Sequence, residues 1–233
     1  MISRNENWMG QLSVDAARFV RLNGVVSAFR AGEEISAAGV ESTGIYQVQK
    51  GFAKLTRSTR NGETSLLFVF GVGNSWGESP IVGDRLTRHA CVALTDCEIL
   101  TLRKSAFLRL YREYPEVPDL LCRRFARSMS RSVRAHPLPP SEKLGTVLAR
   151  TLLDCIIDLP CAADGKSCEI DFPLTQSDIA SHLGVTRQSI HRELSALKSM
   201  GIIEKPKERW IVRDAKRLQA LAHSELLPLG ATR

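Results

Sequence analysis

The chain has 233 residues, 43 % hydrophobic and 24 % charged, which is ordinary for a globular protein and enough for one large or two modest cores. Its formal charge of +7 fits a polyanionic partner, while no apolar run approaches the roughly 18 residues of a membrane span. The first ten residues, MISRNENWMG, have no continuous apolar stretch for a signal peptide, and the six cysteines (91, 97, 122, 155, 161, 168) form no CxxC pair. A cytoplasmic protein with reduced thiols, and with no iron–sulfur cluster or metal site, is therefore expected.

Leu12, Val14, Ala16–Ala17, Phe19–Val20 and Leu22 suit a short amphipathic helix. From Val26 to Leu102 the texture changes to short β-prone runs: Ile45–Val48, Phe52–Leu55, Ser65–Phe70, Cys91–Leu94 and Glu98–Leu102. Glycines punctuate them, a spacing that predicts a small antiparallel barrel or roll. Helix returns at Phe107–Tyr114, and after Pro115 and Pro118 a longer helix runs to about Ala135. In it Leu121, Phe125, Met129 and Val133 form a single apolar stripe among five arginines, a face that can pack on the roll or against its own copy, with a two-fold dimer the favoured expectation. Three prolines in His136–Ser141 (HPLPPS) mark a linker. Ser141 is positioned to cap a helix carrying Leu144, Val147–Leu148 and Leu152, and a strand is expected at Glu169–Phe172.

Basic charge is unevenly spread. Thr101–Pro140 holds nine Arg and Lys against three Asp and Glu, whereas Ser141–His223 holds twelve against eleven. A nucleic-acid site in the second half must therefore concentrate its cations on one face.

The most informative stretch is Leu174–Gly201, LTQSDIASHLGVTRQSIHRELSALKSMG. Thr175 and Asp178 form a capping-box pattern, Gly184 breaks the first helix, and Thr186 caps a second with Ile190, Leu194 and Leu197 on one face. Arg187, Gln188, His191, Arg192 and Ser195 project from the other. Arg forks onto guanine O6 and N7, and Gln pairs with adenine N6 and N7, so this face can read base edges in a major groove. Ile202–Ile203 and Trp210–Val212 flank a charged turn, a wing able to bring Lys205, Lys207 and Arg209 to phosphates.

The order of roll, long helix, hinge and winged helix resembles the Crp–Fnr superfamily of bacterial transcription regulators over roughly residues 20–215. LTQSDIASHLGVTRQSIHRELSAL is the most specific piece, supported by FRAGE (Phe29–Glu33), YQVQKGFAKL (Tyr46–Leu55) and WGESP (Trp76–Pro80). The fold it implies is α+β. An antiparallel β-roll of the cyclic-nucleotide-binding jelly-roll kind spans 11–114, a dimerisation helix 115–136, a hinge 137–141 and a winged helix-turn-helix 142–223. The resemblance implies no enzyme but a homodimer on a pseudo-palindromic DNA operator, with RNA polymerase as a further partner. By position Arg187, Gln188 and Arg192 fall on the family's base-reading residues, and Thr175 and Thr186 near its phosphate contacts.

WGESPIVGDRLTRHA resembles the phosphate-binding cassette of cyclic-nucleotide domains, which implies Gly77, Glu78, Ser79, Arg88 and His89 as an effector site, with Ser132 of the long helix beside it. There Glu accepts from a ribose hydroxyl and Arg pairs with a phosphate. His89 departs from the usual Ser or Thr. The resemblance implies a cyclic nucleotide or another small anion as effector; the alternative is an internal Glu78–Arg88 pair inside a roll with a different ligand, or none.

Overall fold

The computed structural model describes residues 7–58, 64–83, 85–134, 142–155, 167–170, 175–206 and 210–223, by backbone alone at Ser58 and from Ser130 to Arg134. The chain divides into two compact units, Ile2–His136 and Pro137–Arg233.

In the first unit, a turn of 3-10 helix at Met9–Gln11 leads into α1 (Val14–Asn23), whose N-cap Ser13 accepts from the Ala16 amide. Among the described residues eight strands follow: β1 (Gly24–Phe29), β2 (Glu34–Ser36), β3 (Gly44–Lys50), β4 (Ala53–Ser58), β5 (Thr64–Phe70), β6 (Ser75–Trp76), β7 (Ala90–Ala93) and β8 (Cys97–Arg103). They pair into two antiparallel sheets, ordered β1-β8-β3-β6 and β2-β7-β4-β5, the two faces of a roll. Alternation in β8 explains the packing: Cys97 and Ile99 point inward while Glu98 faces water. Inside the roll Tyr46, Trp76 and Phe70 stack in series at 5.2 and 5.0 Å between ring centroids.

A short helix α2 (Glu78–Val82) interrupts the strands after Gly77. Gly77 has φ +97°, and a Cβ there would lie 2.5 Å from the Gly44 carbonyl oxygen. Only glycine fits that turn. After β8 come α3 (Lys104–Glu113) and α4 (Glu116–Arg134). Pro118 sits inside the first turn of α4, where a missing N–H costs nothing, so the helix begins two residues before the proline expected to precede it. Val117 and Leu121 of α4 pack with Trp8, Phe107 and Leu110 in a second apolar cluster, and Phe125 lies against it.

The second unit holds α5 (Leu144–Asp154), β9 (Cys168–Ile170), α6 (Gln176–Leu183), α7 (Arg187–Ser199), β10 (Ile203–Glu204), β11 (Trp210–Val212) and α8 (Ala215–His223). Lys143, not Ser141, is the N-cap of α5, and it makes no side-chain cap; Ser141 lies outside the described residues. The three strands form one antiparallel sheet, β10-β11-β9, with the wing hairpin in register Ile203↔Val212. Leu148, Leu152, Ile170, Ile179, Ile190, Leu194, Leu197, Val212 and Leu218 are buried and form this unit's core.

The thiols differ from expectation at one place. Cys91, Cys97, Cys122 and Cys155 are free, but Cys168 is disulfide-bonded, its partner lying outside the described residues. Burial pushes the Cys155 thiol up to about 12, so this cysteine behaves as a small apolar side chain. Among the described residues no group of three or more His, Cys, Asp or Glu could hold a metal ion, and no helix is long and apolar enough to cross a membrane.

Candidate functional site: the reading helix and the roll cassette

Helix α6 opens on a complete capping box. The Thr175 hydroxyl accepts from the Asp178 amide, and the Asp178 carboxylate accepts from the Thr175 amide. It ends at Gly184, φ +67°, a left-handed residue that turns the chain sharply into Thr186. Thr186 caps α7 by accepting from the Ser189 amide at 3.2 Å. Both threonine hydroxyls are thus spent on their own helices, which leaves the helix N-termini as the anion-attracting feature at these positions.

On α7 the division of faces is clean. Ile190, Leu194 and Leu197 are buried, while Arg187, Gln188, His191, Arg192 and Ser195 are all exposed. Arg192 lies 3.8 Å from Glu193, a loose and solvated pair that leaves its guanidinium available. His191 is not simply free: its Nδ1 lies 3.3 Å from Nε2 of Gln176 on α6. In the wing, Lys205 sits over the Trp210 ring with its ammonium 5.3 Å from the centroid, so its stem is fixed against the hairpin. Lys207 and Arg209 lie outside the described residues. Arg213 and Glu204 form an ion pair across the base of the wing, and each holds the other's charge: the Glu204 carboxyl is lowered and the Arg213 guanidinium raised by their hydrogen bond.

The cassette departs from expectation. Glu78 is 1 % exposed and its charge partner is Arg124 of α4, at 3.1 Å, rather than Arg88. The Trp8 indole donates to the Glu78 carboxylate at 2.9 Å, and the Ser75 hydroxyl donates to the same oxygen. Arg124 also donates to the Ser75 carbonyl at 2.6 Å. Three separate segments (the N-terminal stretch, the cassette and the long helix) therefore close on one carboxylate. Chemically this is a filled acceptor: an incoming hydroxyl would have to displace Trp8, Ser75 or Arg124. Arg88 and Ser79 are exposed, Gly77 and His89 partly buried. His89 is held below the ordinary histidine value by burial first, then by the cations Arg57 and Arg88. The Ser132 side chain lies outside the described residues.

Sequence reasoning missed Trp8, Ser75, Arg124, Arg57 and Gln176. No motif marks them: Trp8, Arg124, Arg57 and Gln176 matter through partners far away in sequence, and Ser75, three residues before Glu78, matters only because Trp8 and Arg124 close on the same carboxylate. The expected apolar stripe of α4 is also corrected. Leu121 is 2 % exposed and packs into its own roll, with Phe125 beside it, whereas Met129 is 70 % exposed. Two of the four residues thus belong to the protomer's own core.

An antiparallel roll carrying a cassette-like turn, a long helix and a winged helix-turn-helix define the class of a DNA-binding regulator. The comparisons agree. Residues 26–114 match the family described as cyclic nucleotide-binding domain, and residues 148–221 the Crp-like helix-turn-helix domain. The cyclic AMP receptor protein of Thermus thermophilus is 25 % identical over 191 residues, 82 % of this chain and 85 % of the relative. The nitrogen fixation regulation protein FixK of Azorhizobium caulinodans is 24 % identical over 217 residues, 90 % of this chain and 84 % of the relative. The solved structure of FixK2 from Bradyrhizobium japonicum superposes with a TM-score of 0.73 at 21 % identity, over 85 % of this chain and 96 % of that one. The chain belongs to the Crp–Fnr superfamily. It is a DNA-binding transcription regulator and not an enzyme.

Proposed function

We propose that this regulator acts in the cytoplasm as a homodimer, reading a pseudo-palindromic operator with Arg187, Gln188, His191 and Arg192. The observation that carries this reading is the exposed polar face of α7 opposite a fully buried stripe. Arg187 and Arg192 supply bidentate donors for guanine, and Gln188 offers a donor and an acceptor for adenine, where the family's type member carries Glu. The helix N-termini at Thr175 and Thr186, and Lys205, Lys207 and Arg209 of the wing, serve the backbone. RNA polymerase is the expected protein partner. The units are assigned as roll 11–114, dimerisation helix 115–136, hinge 137–141 and DNA-binding domain 142–223.

The dimer seam follows from the corrected α4. Its core-facing side is Val117, Leu121 and Arg124; the opposite side exposes Cys122, Ala126 and Met129, at spacings of four and three. Val133 continues that spacing in the sequence. This is a heptad seam of small and flexible residues, permitting close approach of two helices, and Arg127 lies off its centre. A homodimer carries two reading helices, and one helical turn of DNA separates half-sites by about 34 Å.

Effector sensing is assigned to an anion at Arg88, with Arg57 and His89 beside it, and not to a ribose hydroxyl at Glu78. The clasp on Glu78 equally favours a second reading, a constitutive regulator whose roll is a dimerisation scaffold. Selection of random duplex DNA on the purified protein tests the main proposal. A two-fold motif with half-site centres one helical turn apart is expected, and a pool without any motif would refute sequence-specific reading.

A further inference from the structure

Resting on the base-reading assignment of α7, we infer that Gln176 fixes the tautomer of His191 and thereby decides which base that histidine accepts. Gln176 is the first residue of α6, immediately after the N-cap Thr175 and inside the capping box, and His191 lies on the second turn of α7. The two are fifteen residues apart and meet because Gly184 folds one helix back across the other. The atom of Gln176 that faces the ring is the amide nitrogen, 3.3 Å from Nδ1.

An amide nitrogen has protons and no acceptor capacity, so Nδ1 must present its lone pair to it. In a neutral imidazole the single proton is then on Nε2. His191 therefore offers a donor from the exposed face of α7. In the major groove that donor suits purine N7, guanine O6 or thymine O4, whereas cytosine presents only its own N4 donor. The base facing His191 is thus read by exclusion: cytosine leaves two donors opposed. Gln176 need not touch DNA for this. It is a positioning residue, and its identity carries information that a merely packed side chain would not.

Replacing it tests the chemistry directly. A carboxylate can only accept, so Gln176→Glu captures the proton on Nδ1 and turns Nε2 into an acceptor, which suits cytosine N4 or adenine N6. Two readouts are required, both at pH 8.5, about two units above the ordinary histidine value. The first is the ¹⁵N spectrum of the imidazoles in the free protein, with His191→Ala locating the signal. It should show the Nε2–H tautomer in the wild type and the Nδ1–H tautomer in Gln176→Glu. The second is selection on random DNA. One position per half-site should disfavour cytosine about tenfold in the wild type, lose that bias in His191→Ala and Gln176→Ala, and favour cytosine or adenine in Gln176→Glu. An Nδ1–H tautomer in the wild type, or a motif unchanged by Gln176→Glu, overturns the inference while leaving the regulator's reading of DNA intact. A motif unchanged by His191→Ala also overturns it. A wild-type pool with no motif refutes the base-reading assignment itself, and the inference falls with it.

Discussion

The cassette of the roll and the outer face of α7 both gather arginine, a second cation or amide, and hydroxyl groups, yet they use them in opposite ways. In the cassette, Glu78, Trp8, Ser75 and Arg124 satisfy one another inside the chain. On α7, Arg187, Gln188 and Arg192 are held by a helix whose other face is buried, and their polar ends remain in water. The lesson is that a motif tells which groups are present, while the remaining chain decides whether they are already engaged.

The largest way to break the contrast is to remove one partner of the clasp. Arg124→Met would leave the Glu78 carboxylate buried without its counter-charge, a loss of about 3–5 kcal/mol. Urea unfolding of the roll should register it, and a change within error of zero would mean the pair is solvated and Glu78 accessible to ligands. Trp8→Phe keeps an aromatic ring but deletes the N–H and half of a buried indole, and should cost about 1 kcal/mol for the hydrogen bond plus the cost of the space left behind.

Next comes the seam. Ala126→Glu places a charge on the exposed face of α4 between Cys122 and Met129, so sedimentation should show monomers and operator affinity should fall, because each half-site is then held separately. Phe125→Glu should act differently, destabilising the roll against which Phe125 packs. Dimers in Ala126→Glu would contradict the proposed seam.

The smallest effect concerns His89. The fold holds its imidazole below the ordinary value, so as pH falls the unfolded chain takes up the proton first. Its contribution is constant above the ordinary histidine range and is lost progressively as pH drops through that range toward the folded value. His89→Asn should flatten that part of the stability–pH profile. An anion bound at Arg88 should flatten it too, by offsetting the Arg57 and Arg88 fields. An unchanged slope in His89→Asn would assign it to other groups.

The helix-turn-helix was legible in the sequence because its determinants are local. Thr175 and Asp178 are three residues apart, Gly184 needs only its own left-handed turn, and Ile190, Leu194 and Leu197 declare a face by period alone. The strands of the roll were legible for the same reason, though Gly24–Phe29, Glu34–Ser36 and Ser75–Trp76 were too short or too exposed to stand out. Glu78 was misplaced because its partners lie 70 residues before it and 46 after it, a closure no spacing rule encodes. The stripe on α4 was misassigned for a related reason. A four-residue repeat identifies an apolar face, but Leu121 alone cannot say whether that face meets its own roll or another copy.

Closure of Glu78 to a nucleotide, with the outer face of α7 exposed to read DNA, makes operator binding independent of cyclic AMP. Its most direct test is a titration of labelled, selected operator with the wild-type protein, with and without saturating cyclic AMP, followed by anisotropy. The account predicts tight, salt-sensitive binding whose affinity is the same in both cases. Binding that appears only with cyclic AMP, and that needs the ribose 2′-hydroxyl of the nucleotide, would contradict it.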